Sequence, residues 1–168
     1  MTQTPFQLRR QDLLARMYTA GGGVAVLPTA PERVRNRDTT FPYRADSYFH
    51  YLTGFPEPEA VLVLVAGAIT ESILFCRDKN VEKEIWDGFR HGPDGAREAF
   101  GFDKTYSIAE LDARLAELFA DQPALWYALG HDAGWDTRIA AALNAVRAQT
   151  RAGKRAPATI HDLHAVLD

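Results

Sequence analysis

The side chains able to carry metal chemistry are scattered along this 168-residue chain rather than gathered in a motif. The histidines are His50, His91, His131, His161 and His164. None belongs to the HExxH pattern of zinc peptidases, and only the last two are spaced to share a helix face, with no acidic residue completing a site. The carboxylates Asp46, Glu57 and Glu59 can in principle hold a hard cation, but their spacing does not indicate one. Solvated or locally hydrogen-bonded side chains are the favoured interpretation.

Nucleophile motifs are also missing from the sequence. The single cysteine, Cys76, lies in an apolar run where a thiol is usually inert packing. There is no G-x-S-x-G elbow. The glycines at 21–23 precede an apolar strand without the Lys-Ser/Thr pair of a phosphate-binding loop, so they are interpreted as a helix stop. We therefore expect no catalytic residue and no metal ligand in this chain.

The densest group of chemically capable side chains is an aromatic segment, FPYRADSYFHYLTGF. Its aromatic residues are Phe41, Tyr43, Tyr48, Phe49, Tyr51 and Phe55. Such a segment could stack nucleic-acid bases, but a stacking platform needs a cationic groove. Only Arg44 lies within the segment, although Arg33, Arg35 and Arg37 precede it. Burial in a core or an interface is favoured, because aromatic rings bury large areas and their hydroxyl groups seek partners.

Composition and charge describe an ordinary globular chain. Hydrophobic residues make up 46% and charged residues 24% of the sequence, and the length predicts one domain over 1–168. A net charge of −3 provides no broad basic face, so nucleic acid is not an expected partner. The longest apolar run, 60–66, is far below the roughly 18 residues that span a membrane, so no membrane contact is expected. A single cysteine cannot form an internal disulfide, which favours a cytoplasmic location.

Hydrophobic periodicity predicts the elements that position these residues. Helices are predicted over 5–19, 94–100, 108–120 and 136–147. Strands are predicted over 24–27, 61–65, 72–76 and 125–128. The middle two strands are expected to form a hairpin, Ser107 to cap a helix in a capping box with Glu110, and 28–45 and 81–93 to form loops. Strands interleaved with helices favour an α/β sandwich, and the hairpin makes its sheet mixed.

One block of sequence, with the residues around it, carries a more specific signal. The aromatic segment runs into Thr53-Gly54-Phe55 and Glu57-Pro58-Glu59-Ala60-Val61-Leu62-Val63-Leu64. Around this block stand Pro42-Tyr43-Arg44, Ser47, Phe49, Tyr51, Glu84-Ile85-Trp86, Gly88, Arg90, Gly92 and Ala156-Pro157-Ala158-Thr159. Together these residues resemble the N-terminal domain of Xaa-Pro aminopeptidases (aminopeptidase P) over essentially the whole chain. Creatinases and prolidases have related N-terminal domains.

The resemblance implies a fold and a division of labour. It implies a three-layer α/β sandwich with a mixed sheet and a ribonuclease-H-like layout, followed in the full protein by a larger pita-bread metallopeptidase domain. That catalytic domain would hold two Mn²⁺ ions with two Asp, one His and two Glu, and would release the N-terminal residue from peptides with proline second. All those ligands lie beyond Asp168, so this chain alone is expected to bind no metal and to be inactive.

The resemblance also implies two site residues. Trp86 and, more weakly, Arg151 match residues that wall the substrate cleft, in some relatives the cleft of a neighbouring subunit, so a homo-oligomer is expected. An indole supplies a flat apolar wall for a proline ring, and a guanidinium can hold a peptide carboxylate or carbonyl. The alternatives are a core tryptophan and a solvated loop arginine.

Two further functional hypotheses remain open at the level of sequence. The chain could be a stand-alone binding or interaction module of the same fold, using the aromatic segment and Trp86 as its surface. It could also be the N-terminal domain of a creatinase- or prolidase-type relative. The reading frame after Asp168 separates the first alternative from a peptidase, and a substrate panel separates the second.

Overall fold

A mixed β-sheet forms the centre of the molecule, whose computed structural model describes residues 2–32 and 43–168. Within these residues the strands are β1 (Gly23–Pro28), β2 (Val61–Ala66), β3 (Glu71–Cys76), β4 (Lys104–Ser107), β5 (Ala124–Trp126) and β6 (Thr159–His161). Their spatial order is β4-β3-β2-β1-β5-β6. The antiparallel hairpin β2–β3 was predicted, while β4, β5 and β6 pair in parallel with β3, β1 and β5. The predicted mixed sheet is confirmed.

Helices cover both faces of this sheet. They are α1 (Pro5–Thr19), α2 (Ser47–Thr53), α3 (Val81–Asp87), α4 (Gly92–Phe100), α5 (Leu111–Phe119), α6 (Ala133–Arg147) and α7 (Leu163–Leu167). One buried cluster joins α1, α2, α4 and α7 to the sheet, and a second joins α5 and α6 to its other face. The three-layer α/β sandwich expected from the sequence is thus confirmed.

The central strand shows how the sequence builds both layers. Along β1 successive side chains point to opposite faces of the sheet. Val24 and Val26 enter the cluster beneath α5 and α6, whereas Ala25 and Leu27 enter the cluster beneath α1 and α2. All four are almost fully buried, which explains why β1 is a continuous apolar run rather than an alternating one.

The Thr53-Gly54-Phe55 block ends helix α2 and turns the chain into the core. The Thr53 hydroxyl donates to the carbonyl of Phe49 at 2.8 Å and accepts from the Phe55 N–H at 3.0 Å. Gly54 adopts a left-handed conformation with φ of 66° at the helix C-cap. Phe49 and Phe55 are completely buried, so the packing interpretation of the aromatic segment is confirmed for these residues. Phe41 and the arginines at 33, 35 and 37 lie outside the described residues.

Several local predictions are wrong. The stretch 81–93 was expected to be a loop, but Asn80 caps helix α3 there and α4 already begins at Gly92. Helix α2, strands β4 and β6 and helix α7 were not predicted, since each is short and offers little periodicity. Ser107 does act as a cap, but it accepts from the Ala109 N–H at 3.2 Å in a 3₁₀ turn, Ile108–Glu110, that precedes α5.

Candidate functional site

Helix α3 and the residues directly after it present a group of large apolar side chains to solvent. We call Val81, Ile85, Trp86 and Phe89 the α3 surface; their exposed fractions are 69%, 75%, 87% and 65%. Val81 and Ile85 are four residues apart and therefore share a helix face, and none of the residues of α3 is buried. Trp86 is consequently not a core tryptophan. A group of this kind is typical of a surface that meets another molecule.

Hydrogen bonds link the residues before α3 to the residues after it. The Lys79 ammonium donates to Glu84 Oε1 and to the Arg90 carbonyl, both at 2.7 Å. The Arg90 N–H also donates to Glu84 Oε1, at 2.8 Å. The hydrogen bond from Arg90, followed by that from Lys79, lowers the pKa of Glu84 below its ordinary value. This carboxylate therefore ties the beginning and the end of the segment 79–90 together.

A second carboxylate, Glu57, anchors the residue that follows. Glu57 is only 5% exposed. Its Oε2 accepts the His91 N–H at 2.9 Å and lies 2.5 Å from His91 Nδ1, while its Oε1 lies 3.3 Å from a guanidinium nitrogen of Arg77. The His91 ring packs edge-on against Phe55, at 5.5 Å, and against Phe89, at 4.9 Å. A cavity of about 320 Å³ beside the α3 surface is lined by Glu57, Arg77, Phe89 and His91, among others.

Arg151 lies at a different place in the fold. It is exposed in a 3₁₀ turn, Thr150–Ala152, after helix α6. That region is joined to the start of β5 by a 2.8 Å hydrogen bond from the Asp121 N–H to the Arg155 carbonyl. Trp86 follows the carboxyl end of β3. Strand β2 is antiparallel to both β1 and β3, and β1 is parallel to β5, so β3 and β5 run in the same direction. The two predicted site residues therefore lie at opposite ends of the strands, and one chain does not bring them together.

A smaller cavity of about 110 Å³ lies at the carboxyl ends of β1 and β5. His131 and His164 meet on its wall with ring centroids 4.9 Å apart. The Tyr127 hydroxyl donates to Asp136 at 2.8 Å, and burial together with this acceptor raises the pKa of Tyr127. The contact between His131 and His164 was not predicted from the sequence, because only the parallel pairing of β5 and β6 brings these histidines together. The suggested pairing of the last two histidines on one helix is wrong, since His161 lies on β6 and stacks on Trp126.

The remaining candidate groups have structural partners or are shielded. Asp46 caps α2 by accepting from the N–H groups of Tyr48 and Phe49, both at 3.0 Å. Cys76 is fully buried, and this burial, followed by the charges of Glu57 and Asp78, raises its pKa to about 12. Within 2–32 and 43–168, no three His, Cys, Asp or Glu side chains are grouped closely enough to hold a metal ion. The described residues thus do not fit a metal pair, and no metal chemistry is assigned to them.

Comparison with known proteins decides the family. Residues 6–126 match the family model described as "Aminopeptidase P, N-terminal domain". The chain belongs to the aminopeptidase P N-terminal domain family. It is 38% identical over 169 residues to the Xaa-Pro aminopeptidase of Escherichia coli, an alignment that covers 99% of this chain and 38% of that protein. It is also 41% identical over 109 residues to Xaa-Pro aminopeptidase 3 of Dictyostelium discoideum, covering 64% of this chain and 21% of that one.

Solved structures agree with this membership. A structure of Escherichia coli aminopeptidase P, in its low-pH form, superposes with a TM-score of 0.92 at 37% identity, covering 99% of this chain and 38% of that one. The aminopeptidase P N-terminal domain fold predicted from the sequence is therefore confirmed. The chain spans about 38% of the length of this relative. As for membranes, no helix in the described ranges is both long and apolar enough to cross one.

Proposed function

We propose that this chain is the non-catalytic N-terminal domain of a Xaa-Pro aminopeptidase and that it walls the substrate cleft with its α3 surface. The observation that carries the proposal is the 87% exposure of Trp86 in a chain whose relatives include the Xaa-Pro aminopeptidase of Escherichia coli. A solvent-exposed tryptophan on a helix that buries no residue contributes nothing to the core of this domain. Its indole is suited to lie flat against an apolar ring such as proline.

Under this proposal the α3 surface meets substrate or a neighbouring subunit, and the protein works as a homo-oligomer. Four exposed apolar side chains on one short segment favour a partner surface over open solvent. Arg151 would hold a peptide carboxylate or carbonyl through its guanidinium. Because Arg151 and Trp86 lie at opposite ends of the strands, one copy of the domain would direct these two side chains towards different clefts.

The hydrolytic chemistry of the proposal belongs to a separate catalytic domain. Two Mn²⁺ ions held there would supply the activation needed for peptide hydrolysis. The residues of this chain would bind and orient the peptide whose second residue is proline, and would exclude water from the apolar side of the cleft. We further propose a cytoplasmic location and no nucleic-acid or membrane partner, in line with one buried cysteine and a net charge of −3.

Three measurements test this proposal. Purified 1–168 with Mn²⁺ is expected to give no turnover of a Xaa-Pro peptide, and turnover would refute the non-catalytic role. The reading frame after Asp168 is expected to continue into a segment with two Asp, one His and two Glu in ligand positions, whereas a stop codon there would favour the stand-alone binding module. A panel of Xaa-Pro peptides, Xaa-Pro dipeptides and creatine on the complete gene product separates an aminopeptidase from a prolidase- or creatinase-type relative.

A further inference from the structure

The position of the α3 surface is set by polar contacts rather than by hydrophobic burial. Every other α-helix in the described residues buries at least one side chain or glycine, whereas α3 buries none. Burial of apolar side chains is what usually fixes a helix against its sheet. Some other contact must therefore hold α3 in place.

The most buried ion pair near this segment is made by Glu57. Its carboxylate is 5% exposed, and it is bound on one side by the backbone and ring of His91 and on the other by Arg77, which is 8% exposed. His91 directly follows the segment 79–90, which Lys79 and Glu84 close into a loop. Fixing His91 therefore fixes the end of this loop, and with it Trp86 and Phe89.

We propose that Glu57 is the positioning residue of the α3 surface, holding the connection between α3 and α4 so that Trp86 and Phe89 keep one orientation. The proposal deepens the proposed function, since it rests on the α3 surface being the cleft wall. It also explains why a glutamate stands just before a buried strand. An ion pair of this kind costs desolvation free energy and contributes little net stability, but it can fix geometry.

The aromatic packing supports the same role. The His91 ring packs edge-on against both Phe55 and Phe100, at centroid separations of 5.5 Å and 5.1 Å, and these two rings stack on each other at 5.3 Å. Phe89 packs edge-on against the same histidine ring at 4.9 Å. Phe55 and Phe100 belong to or pack against the core beneath α1 and α2. Glu57 thus holds a ring that contacts the rigid core on one side and the exposed surface on the other.

The test is amide hydrogen exchange by NMR on the 168-residue chain with Glu57→Gln, which keeps the shape and removes the charge. We expect the amides of 81–91 to exchange roughly tenfold faster or more, while those of β1, β2 and β3 stay within about twofold of the original chain. Glu59→Gln is the matched control, because Glu59 lies two residues away and is exposed; it should leave 81–91 unchanged. Unchanged exchange at 81–91, or equal acceleration of the core strands, overturns the proposal.

A second variant tests the same proposal if Glu57→Gln does not fold. His91→Gln leaves Glu57 paired with Arg77 and removes the ring contacts, so we expect acceleration confined to 81–91, and exchange like that of the original chain overturns the proposal. In the complete gene product Glu57→Gln should raise KM with little change in kcat. Local acceleration without a change in KM leaves the positioning role intact and counts instead against the cleft role of the α3 surface.

Discussion

Arg10 donates a hydrogen bond of 2.9 Å from its guanidinium to the carbonyl oxygen of Leu52, joining helix α1 to the last turn of α2. The same guanidinium donates to the carbonyl of Phe100 at 2.9 Å and to that of Gly101 at 3.3 Å, at the end of α4. Burial lowers the pKa of Arg10 to about 10, so the side chain stays charged at neutral pH. One buried cation thus caps the carboxyl ends of α2 and α4, which pack on the same face of the sheet.

Replacing this arginine should destabilise the domain. Arg10→Met leaves carbonyl oxygens of Leu52 and Phe100 without their donor, and we expect the free energy of unfolding to fall by about 2–4 kcal/mol. Urea denaturation measures it. Arg9→Met is the matched control, because Arg9 is partly exposed, stacks on Tyr51 and donates one solvent-exposed hydrogen bond of 3.1 Å to the Tyr51 carbonyl; its loss should be below about 1 kcal/mol, since water can replace an exposed donor. Equal losses for the two variants would contradict the capping role of Arg10.

Gly54 should not tolerate a side chain. A Cβ atom added there would lie 2.6 Å from the Phe6 ring, and the backbone φ is 66°. We expect Gly54→Ala to lower the free energy of unfolding by about 1–3 kcal/mol. Gly153→Ala is the control, since φ is 84° there but no atom lies within 4 Å of the added Cβ. Thermal unfolding that places the control at or below Gly54→Ala would contradict a steric cause.

Cys76 should be unreactive in the folded chain. Burial raises its pKa to about 12 and leaves the thiol with no exposed surface, and the thiolate is the form that reacts. At pH 8 we expect a disulfide reagent such as DTNB to label no thiol in the native protein and one thiol per chain in denaturant. Rapid stoichiometric labelling of the native chain would refute this arrangement.

Acid should open the loop that carries the α3 surface. The pKa of Glu84 is lowered in the folded chain, so its contacts stabilise the fold above the unfolded pKa and are lost as the pH falls through the folded one. We expect the Arg90 amide shift to titrate with a midpoint below the ordinary glutamate value of about 4.3. Glu84→Gln should abolish that titration. A midpoint at or above the ordinary value would disprove the hydrogen bond from Arg90 to Glu84.

The sequence predicts those parts of the fold that bury a regular face. Helix α1 begins and ends where its apolar periodicity indicates, at Pro5 and Thr19, and the β2–β3 hairpin follows from two apolar runs. Helix α3 escaped prediction because it buries nothing, so its residues carry no periodic signal of a core. Strand β6 escaped because it has three residues at the sheet edge, and two of them are exposed.

The candidate site was foreseen only in part. The family resemblance indicated Trp86 as a wall of the substrate cleft, which stays a prediction, and the structure shows only that this side chain is exposed rather than part of the core. The contact between Glu57 and His91 joins residues 34 positions apart, and no local pattern can indicate such a pair. The separation of Trp86 from Arg151 likewise follows from strand direction, which appears only once the sheet is assembled.

The most direct test of the account is the kinetic effect of Trp86→Ala in the complete gene product. Because Trp86 is 87% exposed, the melting temperature should not change. We expect KM for a Xaa-Pro peptide to rise roughly tenfold with kcat within about twofold, since the lost contact binds substrate and transition state alike. The control is Tyr18→Ala, which removes an exposed aromatic side chain from α1 rather than α3 and should leave both constants unchanged. An unchanged KM for Trp86→Ala would contradict the claim that this domain walls the substrate cleft.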